Sequence, residues 1–559
     1  MLFNFPRKII MCGLFVLECQ TQAPLNSAPH FPSENEFLKA LNLIAHRGPD
    51  DHKIELLNQR IYFGFHRLSI MDLSSAGNQP FYGITHPARG PNALMCNGEI
   101  YNYKSLKLNM PEIHFKSNSD CEVLLPLYEK WGIKKLCENL DGEYAFVLYD
   151  SQSDLLLAAR DPMGIRPLFY GKTQNDTYAF ASEVKSLASF CREILPFPPG
   201  HFFDGKNILA FCDLTAVPKA YVTDRNLIAL KIRELLIEAT NKRLQSDAEI
   251  GFLLSGGLDS SLVCAIASDY FKKHGKKMQT FSIGMERDAI DSKYAEIVAQ
   301  FIGAHHTSVV MSEEQVLDAL RKVIYALETW DITTIRASVG MYLVCEYIKK
   351  NTKIKVLLTG EVSDELFGYK YTDFAPSAEE FLKESQKRIR EIYLYDVLRA
   401  DRSISAHSLE ARVPFSDKEF VQFVMSIDPE LKLNRYQMGK FLLRDAFDPK
   451  RGKAYLPDEI LWRDKAAFSD AVGHSMVDIL KAFAENSFTD AEFLEQSKKY
   501  AHGTPFTKES LLYRNIFEEY FPQKAALIPS FWMPNKEWNN CDVADPSARV
   551  LPNYGKSGV

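Results

Sequence analysis

Apolar positions change their period part-way along this chain. Before Cys212 they come as short runs, at 61–65, 93–96, 144–149 and 155–159, bounded by Gly, Pro and Asn. Runs of this length between turn formers read as strands. Residues 35–45 and 121–130 carry helical spacing instead. Strands with a few helices predict an α+β layered domain over 11–212. After Asn226 the pattern alternates: apolar strand at 250–254, helix at 262–272, strand at 280–283, helix at 293–302. The alternation continues through 306–311, 314–330, 338–350 and 355–358. It predicts an α/β domain over 226–540, a parallel sheet with helices on its faces. From Ser377 onward the pattern is mostly helical, and 534–559, rich in Asn, Pro and Gly, reads as loop. No internal repeat is visible.

Composition changes this picture little. The chain has 559 residues, 46% hydrophobic and 25% charged, ordinary for a globular protein. Length alone allows three or four domains. A net charge of -6 gives no reason to expect nucleic acid. No run of about 18 apolar residues predicts a transmembrane helix, so no membrane partner is expected. The apolar part of 1–10 is broken by Pro6-Arg7-Lys8, which makes a poor signal peptide. Ten scattered cysteines include no Cys-x-x-Cys pair. That argues against structural zinc and a disulfide framework, and fits a reducing, cytoplasmic setting.

Two short motifs carry chemistry. Cys12 follows Met11 and precedes Gly13-Leu14-Phe15, which reads as an N-terminal nucleophile. Far downstream stands Ser255-Gly256-Gly257-Leu258-Asp259-Ser260-Ser261. It follows a predicted strand. Two glycines let backbone amides approach an anion, and a helix beginning near Ser260 aims its dipole at the same place. Ser255, Ser260 and Ser261 add hydroxyl donors. Asp259 is badly placed against phosphate unless a cation intervenes, which implies Mg²⁺. A plain Gly-turn before a capped helix fits the same letters. The loop lacks the Gly-x-x-x-x-Gly-Lys pattern, which points to cleavage between the α- and β-phosphates. A second strand end, Thr359-Gly360-Glu361-Val362-Ser363-Asp364-Glu365, puts carboxylates where α/β sheets bind ligands. Asp364 is a candidate to share a metal with Asp259, or a helix cap with acidic neighbours.

With these motifs the chain resembles the glutamine-hydrolysing asparagine synthetases, the animal ones most. The resemblance runs from Met11 to about Arg549. It rests on Cys12-Gly13, His46-Arg47-Gly48-Pro49-Asp50, His66-Arg67-Leu68, Asn97 to Asn102, Arg160-Asp161, Ser255 to Ser261, 328–342, 408–415, Trp462-Arg463 and Asp545 to Arg549. It implies an αββα glutaminase in which Cys12 attacks the glutamine amide with its own α-amine as base. Asn97 and the Gly98 amide would hold the oxyanion. Arg67, Leu68, Ser69, Ile70, Met71, Glu99 and Asp120 would bind glutamine, with Arg67 on its carboxylate. His46 would order the glutamine loop. The second domain would be an adenylating ATP pyrophosphatase. There Leu254, Ser255 to Gly257, Asp259 to Ser261, Ile283, Thr359, Gly360 and Lys465 would bind ATP. Glu361 would serve the β-aspartyl-AMP intermediate, and Asp259 and Asp364 would hold Mg²⁺. Glutamine, aspartate and ATP are the implied partners, and a homodimer is compatible with the family.

Departures cluster at the second site. Val362 stands where the family has a glycine, and is strained if that position takes φ > 0. The stretch 365–369 is one glycine short, which offers the loop another path in which valine is comfortable. Ala466 follows the lysine where the family has an acid, and Ala289-Ile290-Asp291 degrades a Ser-Pro-Asp signature. Ten residues precede Met11, so an active N-terminal nucleophile is expected to begin at Cys12. Two other readings remain: a ligase that adenylates a different acid, and a non-catalytic homologue.

Overall fold

The computed structural model describes residues 12–19, 32–286, 290–463 and 474–554. These residues divide into two units, not three or four. One gathers residues up to Asp213 with Ser246–Ala248 and Ile404–Glu410; the other takes the rest.

The first unit stacks two six-stranded sheets. One runs in the order Cys191–Pro196, Phe169–Thr173, Tyr178–Ala181, Gly13–Glu18, Ile61–Arg67, Asp51–Leu57. The other runs Ile208–Ala210, His201–Phe203, Leu155–Arg160, Gly142–Asp150, Gly90–Ile100, Phe81–His86. The registered pairs within them are antiparallel. Period-two alternation decides which side chain goes where. On Gly90–Ile100, Ala93 and Met95 face the inter-sheet core with Leu14, Val16, Phe63 and Phe65. Leu94 and Cys96 turn to the opposite core, against Leu124, Leu127 and Leu136 of the helix Leu124–Asn139. Gly132, at φ 75° and ψ 168°, breaks this stretch into two helical segments, the first ending close to the predicted 130. On the outer face of the first sheet, Ser33 and Glu36 form a capping box that starts the helix Glu34–Asn42. Its Phe37 ring stacks on Phe15 at 4.5 Å. Gly64 makes that seat, since a Cβ there would stand 2.7 Å from the Phe37 ring.

The second unit is built on a five-stranded sheet ordered His305–Met311, Gln279–Met285, Ile250–Leu253, Val356–Leu358, Glu410–Arg412. The first four strands pair in parallel. From Ile250–Leu253 the chain moves outward on one side, then returns to the other side as Val356–Leu358. That reversal is a topological switch point, where open α/β sheets bind ligands beyond the strand ends. The strand stops at Leu253, so Leu254 belongs to the loop. The helix begins at Leu258, earlier than the sequence suggests, because Gly257 takes an extended cap conformation. The helix Ile332–Asn351 also starts early, since the Asp331 carboxylate caps the Thr334 amide at 2.8 Å. Glu328, at φ 57°, ends the preceding helix Glu313–Leu327. Among its described residues the C-terminal stretch is loop apart from a turn at Ala548–Val550. It is well packed: Trp538, Cys541 and Leu551 make a small core with Tyr371. Among the described residues no helix is long and apolar enough to cross a membrane.

Candidate active sites

The thiol of Cys12 sits at the head of the strand Gly13–Glu18. It accepts the Leu68 amide at 3.2 Å and reaches the Leu68 carbonyl at 3.5 Å. Burial pushes this thiol up to about 12, and the Leu68 amide opposes the rise. A thiol so placed needs a base to ionise. Arg47 fixes the backbone beside it, donating from Nε to the Cys12 carbonyl at 3.0 Å and from Nη1 to Glu183 at 2.8 Å. His46 shares Glu183 at 3.0 Å, and burial lowers its pKa. It belongs to this buried cluster.

Asn97 is fully buried, and neither polar atom of its side-chain amide has a hydrogen-bond partner among the described residues. A buried amide left unpaired costs roughly 1–3 kcal/mol. Such a donor suits charge that appears only during reaction. The strand beneath is held from the side by Gln79, whose amide bonds the Cys96 carbonyl at 3.1 Å and the Cys96 amide at 2.6 Å. Gly98 admits no side chain: a Cβ would stand 2.2 Å from the Glu143 carbonyl oxygen. Asp120 accepts the Ile100 amide at 2.5 Å. Arg67 is buried and spends donors on the carbonyls of Ser74, Asp72 and Met71 and on Asn78. It thereby shapes the loop of Leu68, Ser69, Ile70 and Met71. Ser69 is tied to Asp50 at 2.8 Å, and Ile70 accepts the Asp247 amide at 3.1 Å.

The second site lies at the switch point. Gly256, at φ 77°, turns the chain, and a Cβ on it would meet the Ala295 nitrogen at 2.6 Å. The Ser255 and Ser260 hydroxyls bond each other at 2.9 Å. Leu254, Ser255, Gly257, Asp259 and Ser260 line one cleft with Ile283, and Thr359, Gly360, Glu361 and Asp364 line it from the second strand end. Ser261 does not join them: it is fully buried and its hydroxyl has no hydrogen-bond partner among the described residues. Glu361 pairs with the buried Arg399 at 3.5 Å. Arg463 lies over the Tyr294 ring, 3.6 Å from its centre, and reaches the Gly256 carbonyl at 3.3 Å. Asp259 and Asp364 do converge on one cation, the ammonium of Lys440, at 2.8 and 2.6 Å.

Family models match both halves of the chain. A glutamine amidotransferase domain covers residues 11–195, and an asparagine synthase domain covers 231–386 and 374–548. The chain is 41% identical to the glutamine-hydrolysing asparagine synthetase of Rattus norvegicus over 549 residues, 91% of this chain and 95% of that one. It is 40% identical to that of Homo sapiens over 92% of this chain and 96% of that one. For Gallus gallus the figures are 39%, 92% and 96%. The chain belongs to the glutamine-hydrolysing asparagine synthetase family.

Set against this synthetase family, the departures take physical form. Val362 does adopt the left-handed conformation, φ 79° and ψ -22°, as the residue before the helix Ser363–Phe367. The shortened stretch after it has not given valine a relaxed path. Lys465, Ala466 and Ala289 lie outside the described residues, as does the Asp291 side chain. Sequence reasoning missed Glu183, Gln79, Arg399 and Lys440. Nothing local marks the first two; Arg399 lies within the helix Asp396–Ser405 and Lys440 in the turn before Phe441–Ala446, where neither letter differs from an ordinary surface cation.

Proposed function

We propose that this synthetase releases ammonia from glutamine at Cys12 and spends it on β-aspartyl-AMP, giving asparagine, AMP and pyrophosphate. Glutaminase chemistry is assigned to 11–212 and synthetase chemistry to 226–540. The Cys12 thiolate attacks the side-chain amide carbon, with the free α-amine of Cys12 taking the thiol proton. Asn97 and the Gly98 N–H take the oxyanion. Collapse expels ammonia and leaves a thioester, which water opens to glutamate. Arg67 and the loop Leu68 to Met71, with Glu99 and Asp120, hold the amino-acid end.

In the cleft, the aspartate β-carboxylate attacks the α-phosphorus of ATP and pyrophosphate leaves. Ammonia then attacks the acyl carbon and AMP leaves with the bonding pair. Ser255, Gly256, Gly257 and Ser260 cradle the leaving pyrophosphate beside the helix N-terminus. Leu254, Ile283, Thr359 and Gly360 seat the nucleotide, and Lys465 neutralises phosphate charge. Glu361, held by Arg399, serves formation and use of the acyl-adenylate. Two carboxylates converging on one cation fit Mg²⁺, which usually takes one or two carboxylates and completes its shell with substrate phosphates. Bound there, the metal would supply charge neutralisation of the triphosphate. No group of three or more acidic, His or Cys ligands is found among the described residues, so the pair would rely on phosphate and water for the rest of the shell. We assign the enzyme to the cytosol, where its ten cysteines, none in a disulfide among the described residues, would stay reduced, and assign it a homodimeric state.

The observation that carries this reading is one chain with two sites: a buried amide with no partner among the described residues in the thiol's unit, and a switch-point cleft in the other. The test is pyrophosphate release with ATP, Mg²⁺ and aspartate, using glutamine or ammonium as nitrogen source. Release with both supports it. The strained Val362 favours a second reading, adenylation of another acid, which release with that acid and not with aspartate would establish. Absence of pyrophosphate release with every acid tried would indicate a non-catalytic homologue.

A further inference from the structure

Lys440 is placed with unusual care for a surface-type residue. It precedes the helix Phe441–Ala446 at φ 59°, and its carbonyl accepts the amides of Leu443 and Arg444. Its side chain is only 2% exposed. The ammonium lies 2.8 Å from both oxygens of Asp259, 2.6 Å from Asp364 Oδ1 and 2.9 Å from Ser363 Oγ. Ser363 in turn donates to Asp259 at 2.7 Å. An ammonium has three protons. Here Asp259, Asp364 and Ser363 supply acceptors for all of them.

The two carboxylates are the pair assigned to Mg²⁺ above, and this inference rests on that assignment. Two carboxylates facing one position repel each other unless a cation sits between them. Lys440 is that cation and belongs to the protein. It also removes one unit from the negative charge a divalent ion would meet. Mg²⁺ surrenders its water reluctantly, and two carboxylates already satisfied by an ammonium offer it little. A triphosphate brings several negative oxygens to the same place and reverses that balance. We propose that Lys440 is a built-in counter-cation, a positioning residue that pre-assembles Asp259 and Asp364 and makes divalent-cation binding conditional on nucleotide.

The test measures Mn²⁺ bound to the full chain, without turnover, as the loss of the free-ion electron paramagnetic signal beyond that caused by the same nucleotide without protein. The parent should bind Mn²⁺ weakly alone and at least about tenfold more tightly with α,β-methylene-ATP. Lys440→Met should bind Mn²⁺ without nucleotide at least about tenfold more tightly than the parent. Equal affinity in parent and Lys440→Met overturns the proposal. So does a parent that binds Mn²⁺ as tightly without nucleotide as with it, a comparison that stands even if the variant fails to fold. Adding Asp364→Asn to Lys440→Met separates the two levels. Tightening that survives the second change would show that the carboxylates are not the metal site, so the assignment beneath falls. Nucleotide-dependent binding lost in Asp364→Asn, with no tightening in Lys440→Met, would keep the assignment and remove the role of Lys440.

Discussion

Gly360 lies against Ser260 so closely that a Cβ on it would stand 2.8 Å from the Ser260 backbone nitrogen. At Gly360 the second strand-end loop therefore packs directly on the backbone of Asp259 and Ser260. Gly360→Ala must push the loops apart where neither atom can yield. The expected outcome is a fall in aspartate-dependent pyrophosphate release of more than about tenfold, a cost of roughly 1.4 kcal/mol or more in the transition state. Glutamine hydrolysis, performed in the other unit, should be unchanged. An alanine variant with full pyrophosphate release would show that the contact does not matter.

Cys12→Ala should abolish glutamine hydrolysis and leave ammonium-dependent asparagine formation, because adenylation uses none of the thiol's neighbours. With the thiol pushed up to about 12, hydrolysis also needs a free amine at Cys12. Mass spectrometry of active protein should find Cys12 as its first residue. Full glutaminase activity in protein that retains Met1 would defeat this part of the mechanism.

Val362 sets two comparable terms against each other. A β-branched residue at φ 79° costs roughly 1–3 kcal/mol of backbone strain. Its side chain is 1% exposed, and burying a valine returns about 1.5–3 kcal/mol. Val362→Gly should therefore change stability by no more than about 2 kcal/mol. It should raise the rate of pyrophosphate release, since the strain falls between Glu361 and Asp364. A slower glycine variant would mean that the loop is built around valine.

His66 gives a pH signature. Burial holds its pKa at about 4, against 6.5 for the free side chain. Between those values the unfolded chain carries a proton that the folded one does not. Stability from this group is therefore complete above pH 6.5 and drains away as the pH falls to 4. The loss is on the order of 3 kcal/mol. Thermal unfolding of the parent should steepen across this window relative to His66→Asn. Parallel profiles would place the acid sensitivity elsewhere.

How much could be read from the letters follows from distance along the chain. The two strand-end loops were legible because glycines, caps and strand periodicity act within a few residues. Cys12 was legible from its neighbours, whereas Asn97 and Gly98 needed the family resemblance. Lys440 was not legible. Its partner Asp259 stands 181 positions away, and a lysine before a short helix looks like any solvated cation. Glu183 was hidden similarly, 136 positions from Arg47. Ser261 erred the other way. It belongs to the motif by sequence, but the helix starts at Leu258 and its turn carries that hydroxyl inward.

The first unit borrows from the far end of the chain. Arg166, wholly buried, pairs with Glu143 at 3.3 Å and with Glu410 at 3.4 Å. Arg47 reaches Ser405 at 3.1 Å, and the Asp72 amide donates to Asp247 at 2.9 Å. A gene cut after Asp213 would thus encode a glutaminase with pieces missing, and a buried guanidinium deprived of a carboxylate is among the costlier defects a protein can carry. The two activities cannot be parcelled out to separate polypeptides by dividing the sequence once. Any natural or engineered exchange of one half must carry these distant short segments along with it.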